Sequence, residues 1–148
     1  RQYVFMVQEE VADRMIARPA TREYSAFTVL VQARLQVSRR MRIQPGSFYP
    51  RPEVSSALVE LGPREETLYI RDAAALSAVT RSIFHARRKT VLNSLLGSAL
   101  TSGTGRRLTR SEASALLEAA GIDPAVRGET LSVERIVELA NAYASRTA

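Results

Sequence analysis

A chain of 148 residues, 45% of them hydrophobic, suffices for one domain of ordinary size or two small ones, and it can bury a core. With no cysteine and a single histidine, His85, the sequence excludes disulfides, thiolate metal sites and multi-histidine metal centres, and it leaves little room for a Ser-His-Asp triad. No apolar run nears the ~20 residues that a membrane-spanning helix needs, and the N-terminus has no signal-peptide layout, so the chain reads as cytoplasmic and without a membrane partner.

Taken in order, Tyr3-Val4-Phe5-Met6-Val7 is a continuous apolar run without alternation, which predicts a strand buried on both faces inside an α/β sheet. Glu9 to Ala17 follows with Val11, Met15 and Ile16 at helical spacing, and Glu9, Glu10 and Asp13 near the positive end of the helix dipole. Pro19 ends this helix. A second helix is expected from about Glu23 to Arg34, where Tyr24, Phe27, Leu30 and Val31 recur at three- and four-residue steps. From Leu35 to Gln44 the period becomes two, with Leu35, Val37, Met41 and Ile43 on one side and Arg39 as the misfit. Pro45 and Gly46 stop that strand, an aromatic loop intervenes, and Ala57, Val59 and Leu61 alternate in the next one. These two strands are expected to form the antiparallel edge of a mostly parallel sheet.

Gly62-Pro63 followed by Arg64, Glu65 and Glu66 marks a boundary. Beyond it every pattern is helical: one helix from near Asp72 with Leu76, Val79, Ile83 and Phe84, and another with Val91, Leu92, Leu95, Leu96 and Leu100, joined near His85 to Lys89. Thr109 with Glu112 predicts a capping box for a third helix that buries Ala113, Leu116, Leu117 and Ala120, and Gly121-Ile122 fits its left-handed stop. Ser132 caps a final helix with Val133, Ile136, Val137, Ala140 and Tyr143 inward. The fold class is therefore α/β plus all-α, with residues 1–63 an incomplete sheet domain and residues 64–148 a small helical domain. One inner strand and an antiparallel edge leave parallel partners unaccounted for.

The formal charge is +6, and twenty of the basic residues are arginine. Arg34 to Arg51 holds five basic residues and no acid, and Arg81 to Arg110 holds seven and no acid. Two acid-free windows point to a polyanionic partner rather than to an ordinary solvated face. Arg87-Arg88-Lys89-Thr90 stands where a helix should begin, a place where cations oppose the dipole, so phosphate binding is the better use for them. A continuous helix from 72 to 100 would remove that objection. Arg106, Arg107 and Arg110 form a second cluster, equally consistent with a solvated loop. Gly103-Thr104-Gly105 lacks a preceding strand and is no nucleotide loop. His85 reads as a capping or surface residue. Phe48-Tyr49-Pro50-Arg51-Pro52 is a stiff aromatic loop suited to stacking on a nucleobase, against the alternative that Phe48 simply packs into the core.

Four segments together resemble the small-subunit ribosomal RNA adenine dimethyltransferase family. They are Val7 to Arg14 with Tyr24 to Gln32, Phe48 to Ala57, Arg87 to Leu95, and Gly121 to Ser132. The resemblance implies the C-terminal portion of a Rossmann-like methyltransferase sheet domain followed by a helical rRNA-binding domain. It implies an enzyme that uses S-adenosylmethionine to dimethylate two adjacent adenines of small-subunit rRNA during ribosome biogenesis, acting on the immature small subunit as a monomer. By position, Phe48 corresponds to the aromatic that stacks on the flipped target adenine. Arg40, Arg42, Arg51, Arg81, Arg87, Arg88, Lys89, Arg106, Arg107 and Arg110 become candidate RNA contacts. The family's glycine-rich cofactor loop and its Asn-Leu-Pro-Tyr type motif are not in this sequence, so the chain alone is expected to bind no cofactor and to transfer no methyl group. Two alternatives stay open: a non-catalytic rRNA-binding or assembly module, and the related macrolide-resistance methyltransferases of large-subunit rRNA.

Overall fold

In the computed structural model, which describes residues 2–147, strand β1 (Tyr3–Gln8) passes directly into helix α1 (Glu9–Ile16). Helix α2 (Ala26–Gln32) leads into β2 (Leu35–Ile43), and a loop with a 3-10 turn at Pro45–Ser47 connects β2 to β3 (Ser56–Pro63). Then come α3 (Ala73–His85), α4 (Val91–Leu96), α5 (Arg110–Ala119), a 3-10 turn at Gly128–Thr130 and α6 (Val133–Thr147). Glu9 and Glu10 in the first turn of α1 complement its dipole. At the other end of α1 the orphan carbonyls are taken up by α2: Gln32 Nε2 donates to Met15 O (2.8 Å) and Ala17 O (3.0 Å), and Thr28 Oγ1 donates to Arg14 O (2.6 Å).

The sheet has the order β1-β3-β2, and both pairings are antiparallel. This corrects two expectations. Among the described residues no parallel pair occurs, and β1 is an edge strand rather than an inner one. Tyr3, Val4, Phe5 and Met6 are 52%, 59%, 51% and 55% exposed, and of the run only Val7 packs against the core under the sheet. A third correction concerns β2. Its register slips between Arg39, opposite Val59, and Met41, opposite Leu58, so Arg40 is the extra residue of a bulge. The slip reverses the facing of everything after it: Leu35, Val37 and Arg39 share the α1 side with Val59 and Leu61, whereas Met41 and Ile43 turn to the other side and Arg42 comes in beside Ala57. Arg39 is a misfit only to the alternation, since it reaches across the covered face to Asp13 of α1.

A small core under the sheet joins Ala12 and Met15 of α1 to Ala57, Val59 and Leu61 of β3. The larger core is helical, centred on Leu76, Val79, Ile83, Leu95, Leu116, Leu117, Ile136 and Leu139, and it also takes in Ala17, Tyr24, Val29 and Ala33 from before the Gly62-Pro63 boundary. Buried Tyr24 donates its hydroxyl to Leu131 O (2.8 Å) and packs edge-on to Phe84 with ring centres 5.5 Å apart. Burial, helped by the nearby Glu134 charge, pushes that phenol far above its ordinary pKa. Arg64 adds donations to Gln32 O (2.6 Å) and Glu134 Oε1 (2.7 Å), so α2 packs with the helical half.

Local signals in the helical half match the expectations closely. Glu112 accepts from the Thr109 backbone at 2.7 Å while Glu112 N–H donates back to Thr109 Oγ1 at 3.3 Å, closing the capping box. These bonds hold the Glu112 carboxyl below the usual glutamate range, with Arg106 a smaller influence. Gly121 adopts φ +62°, Ile122 N–H donates to Leu117 O (2.9 Å) and Gly121 N–H to Glu118 O (2.9 Å), the bond pattern of a Schellman stop. Helix α4 is shorter than expected, because Gly97 caps it, although Leu100 beyond the cap is still buried. Ala86 at φ −131°, ψ 68° breaks α3 from α4, which settles the continuous-helix alternative: Arg87 to Lys89 lie in a turn, and Thr90 caps α4.

Candidate nucleic-acid interface

Gln8 at the end of β1 and Ile43 at the end of β2 both lie opposite Ser56, the first residue of β3. The loop from 44 to 55 therefore sits at the carboxyl ends of β1 and β2, beside the start of the central antiparallel strand β3. Its far end is fastened to the start of α1, with Glu9 N–H donating to Ser55 O at 3.0 Å. Arg42 braces the same corner, pairing with Glu9 Oε1 at 2.8 Å and reaching Ser55 Oγ at 3.4 Å. The backbone at Phe48 is extended (φ −124°, ψ 152°) and its N–H closes the Pro45 turn at 3.3 Å. Phe48 is partly buried yet belongs to neither hydrophobic cluster, which argues against the core-packing alternative, and Tyr49 beside it is fully exposed.

The ten candidate cations divide into three groups. Arg40 pairs with Glu60, Arg42 with Glu9, Arg87 with Glu129 (2.8 Å) and Arg106 with Glu112 (3.4 Å). The hydrogen bond and charge of Glu60 raise the already high pKa of Arg40, and Glu60 is otherwise a nearly buried carboxylate on the sheet. Arg81 donates back to Ser77 of its own helix. Arg51, Arg88, Lys89, Arg107 and Arg110 are exposed and have no ion pair among the described residues. The acid-free windows are thus acid-free in sequence only, because folding brings five carboxylates to them, counting Asp13 at Arg39.

Two cations that the sequence reading did not single out join the Arg87–Lys89 turn. Arg127 pairs as an antiparallel bridge with Thr90, and the Arg22 carbonyl accepts from Arg87 at 2.9 Å. Both arginines are exposed. The Gly121 to Ser132 segment carried Arg127 in plain view, but only the bridge shows that it adjoins the turn. His85 is exposed at the end of α3, on a concavity of about 420 Å³ shared with Arg81, Ser82 and Gly97. A larger cleft of about 730 Å³ lies between the C-terminal end of α1 and the start of β2, away from Phe48.

Among the described residues, no glycine-rich loop follows a strand. β1 enters α1 without a glycine-rich loop, and Gly103 to Gly105 lie between α4 and α5 with no strand before them.

The family model described as ribosomal RNA adenine dimethylase matches residues 1–144. The chain is 38% identical over 143 residues to the "Ribosomal RNA small subunit methyltransferase A" of Maricaulis maris, covering 97% of this chain and 47% of that protein. It is 39% identical to the protein of the same name from Dinoroseobacter shibae, covering 98% and 48%. The crystal structure of a dimethyladenosine transferase from Plasmodium falciparum superposes with a TM-score of 0.75 at 23% identity, over 94% of this chain and 55% of that one, a likeness of fold. The chain spans about half the length of the curated relatives it matches. Since the family model covers it almost from end to end, the chain belongs to the ribosomal RNA adenine dimethylase family.

Proposed function

We propose that this chain is the C-terminal part of an enzyme that dimethylates two adjacent adenines of small-subunit rRNA with S-adenosylmethionine during ribosome biogenesis. Within it, residues 1–63 complete a Rossmann-like sheet domain and present the target-base wall, and residues 64–148 form the rRNA platform. The observation that carries the reading is the place of Phe48: an aromatic outside both cores, on a proline-stiffened loop at the carboxyl ends of β1 and β2. A base removed from its stack needs a flat apolar surface to rest on, and Phe48 supplies one. Arg51 on the same loop and the exposed cations of the helical half would neutralise phosphates on either side of the extruded base. The names of the relatives favour the small subunit over the large.

The cofactor would supply the methyl group from elsewhere in the whole protein. The residues here would bind and orient RNA, and by themselves would transfer nothing. The exposed apolar side chains from Tyr3 to Met6 of β1 fit this reading, since an upstream strand and helices would cover them. A second reading, a purely RNA-binding assembly module, is favoured by the exposed cations Arg88, Lys89, Arg107 and Arg110, which have no ion pair among the described residues. Salt titration of binding to small-subunit rRNA tests what both share: neutralising several phosphates demands an affinity that falls steeply with salt, and a flat response would remove the platform. Methyl transfer by the full-length protein, absent from this chain alone, separates the two. Transfer by the isolated chain would contradict the proposal.

A further inference from the structure

The side chain of Arg87 is spent inside the molecule. Its Nε donates to Glu129 Oε2 at 2.8 Å, one terminal nitrogen to Arg22 O at 2.9 Å and the other to Thr21 O at 3.2 Å. To contact phosphate it would have to surrender an ion pair and two carbonyl bonds at once. Glu129 is tied to the same loop a second way, because its carbonyl accepts from Ala20 N–H at 2.8 Å. Ala20 sits at φ +66°, a left-handed conformation that a residue with a Cβ keeps only where surrounding contacts hold it. Three stretches distant in sequence are therefore clamped together: loop 17–25, the turn at 87–90 and the segment 126–131. On the far side of the clamp Thr90 bridges Arg127, and Val91 N–H donates to Val126 O at 2.7 Å. Arg22, Arg88, Lys89 and Arg127 are left exposed around it, none in an ion pair among the described residues, and Glu23 is the one acid on the adjoining loop.

We propose that Arg87 is a positioning residue, latched by Glu129, that gathers Arg22, Arg88, Lys89 and Arg127 into one phosphate-binding patch for rRNA. The inference rests on the RNA-binding reading above and assigns to two arginines, Arg22 and Arg127, a role as RNA contacts. A guanidinium is required at position 87, since an ammonium is a point charge and cannot serve three acceptors in a plane.

The test is the affinity of the full-length protein for small-subunit rRNA, measured across a range of salt. R22A and R127A, both at exposed positions, should each lower the slope of log affinity against log salt by about 0.7–0.9, the value for one lost phosphate contact. R87K keeps the charge but should weaken binding, and E129A should also weaken it although removing an acid from a cationic surface would by charge alone strengthen it. The double variant R87K/E129A should bind no worse than the weaker single one. Wild-type affinity in R87K, strengthened binding in E129A, or unchanged slopes in R22A and R127A would overturn the latch while leaving RNA binding in place. A flat salt response in the unaltered protein would overturn both.

Discussion

A methyl group added at Gly128 would stand 2.0 Å from Ile83 Cγ2, 3.2 Å from its Cβ and 3.4 Å from its carbonyl oxygen. Carbon atoms rest at about 3.5–4.0 Å, so relief requires a shift of roughly 1.5 Å or more. Ile83 cannot yield cheaply, being 1% exposed in the middle of α3 and held among the residues of the larger core. Overpacking of this kind costs about 1–3 kcal/mol, and the depth of the overlap places Gly128→Ala toward the upper end. For a chain of this size, about 3 kcal/mol corresponds to a fall in melting temperature of roughly 6–12 °C. Thermal melting followed by circular dichroism reads it. The steric cause is isolated by Ile83→Ala, which alone costs about 2–5 kcal/mol through the cavity it leaves. Combined with Gly128→Ala it should cost clearly less than the sum, because the new methyl then fills vacated space. A Gly128→Ala chain that melts like the unaltered one, or a strictly additive double variant, would refute the steric argument.

Tyr24→Phe removes the buried donor to Leu131 O and should cost about 1–2 kcal/mol in melting or denaturant titration. Because burial raises the phenol's folded pKa, the stabilisation it gives is complete below the ordinary tyrosine pKa and is lost as pH climbs beyond it; the Phe variant should lack that alkaline loss. Ala20→Gly relieves a left-handed Cβ and should leave the chain as stable or more stable, by up to about 1 kcal/mol, and a clear destabilisation would remove the claim of strain. Glu112 has its folded pKa lowered chiefly by the Thr109 bonds, and Glu134 by its own backbone N–H and Arg64 against the raising effect of burial. Their contribution is therefore present above the ordinary glutamate range and lost as pH falls through it, so Thr109→Ala should lose less stability than the unaltered chain between about pH 6 and about pH 3. Equal acid sensitivity of the two would contradict this.

What could be read in advance was what neighbouring residues decide between themselves. The Thr109-Glu112 box, the Gly121-Ile122 stop and the inward face of α6 each follow from contacts within one helical turn, and all three are present. The bulge at Arg40 was hidden because register belongs to a strand pair, and alternation along β2 alone cannot reveal that Met41 faces away from Val37. β1 misled for a related reason: an apolar run states what a strand's faces require, whereas its neighbours decide whether those faces are covered. Phe48 stood out through its prolines. The duty of Arg87 did not, since its acidic partner is 42 residues away in sequence and the carbonyls it serves more than 60. Charge windows counted along the chain overstate free charge wherever folding delivers a carboxylate, as Glu9, Asp13, Glu60, Glu112 and Glu129 are delivered here.

The claim that Phe48 is a wall of the adenine site is tested most directly by methyl transfer to small-subunit rRNA adenines by the full-length protein carrying Phe48→Ala. Stacking on one base is worth about 1–3 kcal/mol, so transfer should fall roughly tenfold to a hundredfold while the melting temperature and the salt slope of RNA binding stay as they were. Undiminished transfer would contradict the account, and a loss of cooperative melting would return Phe48 to the core.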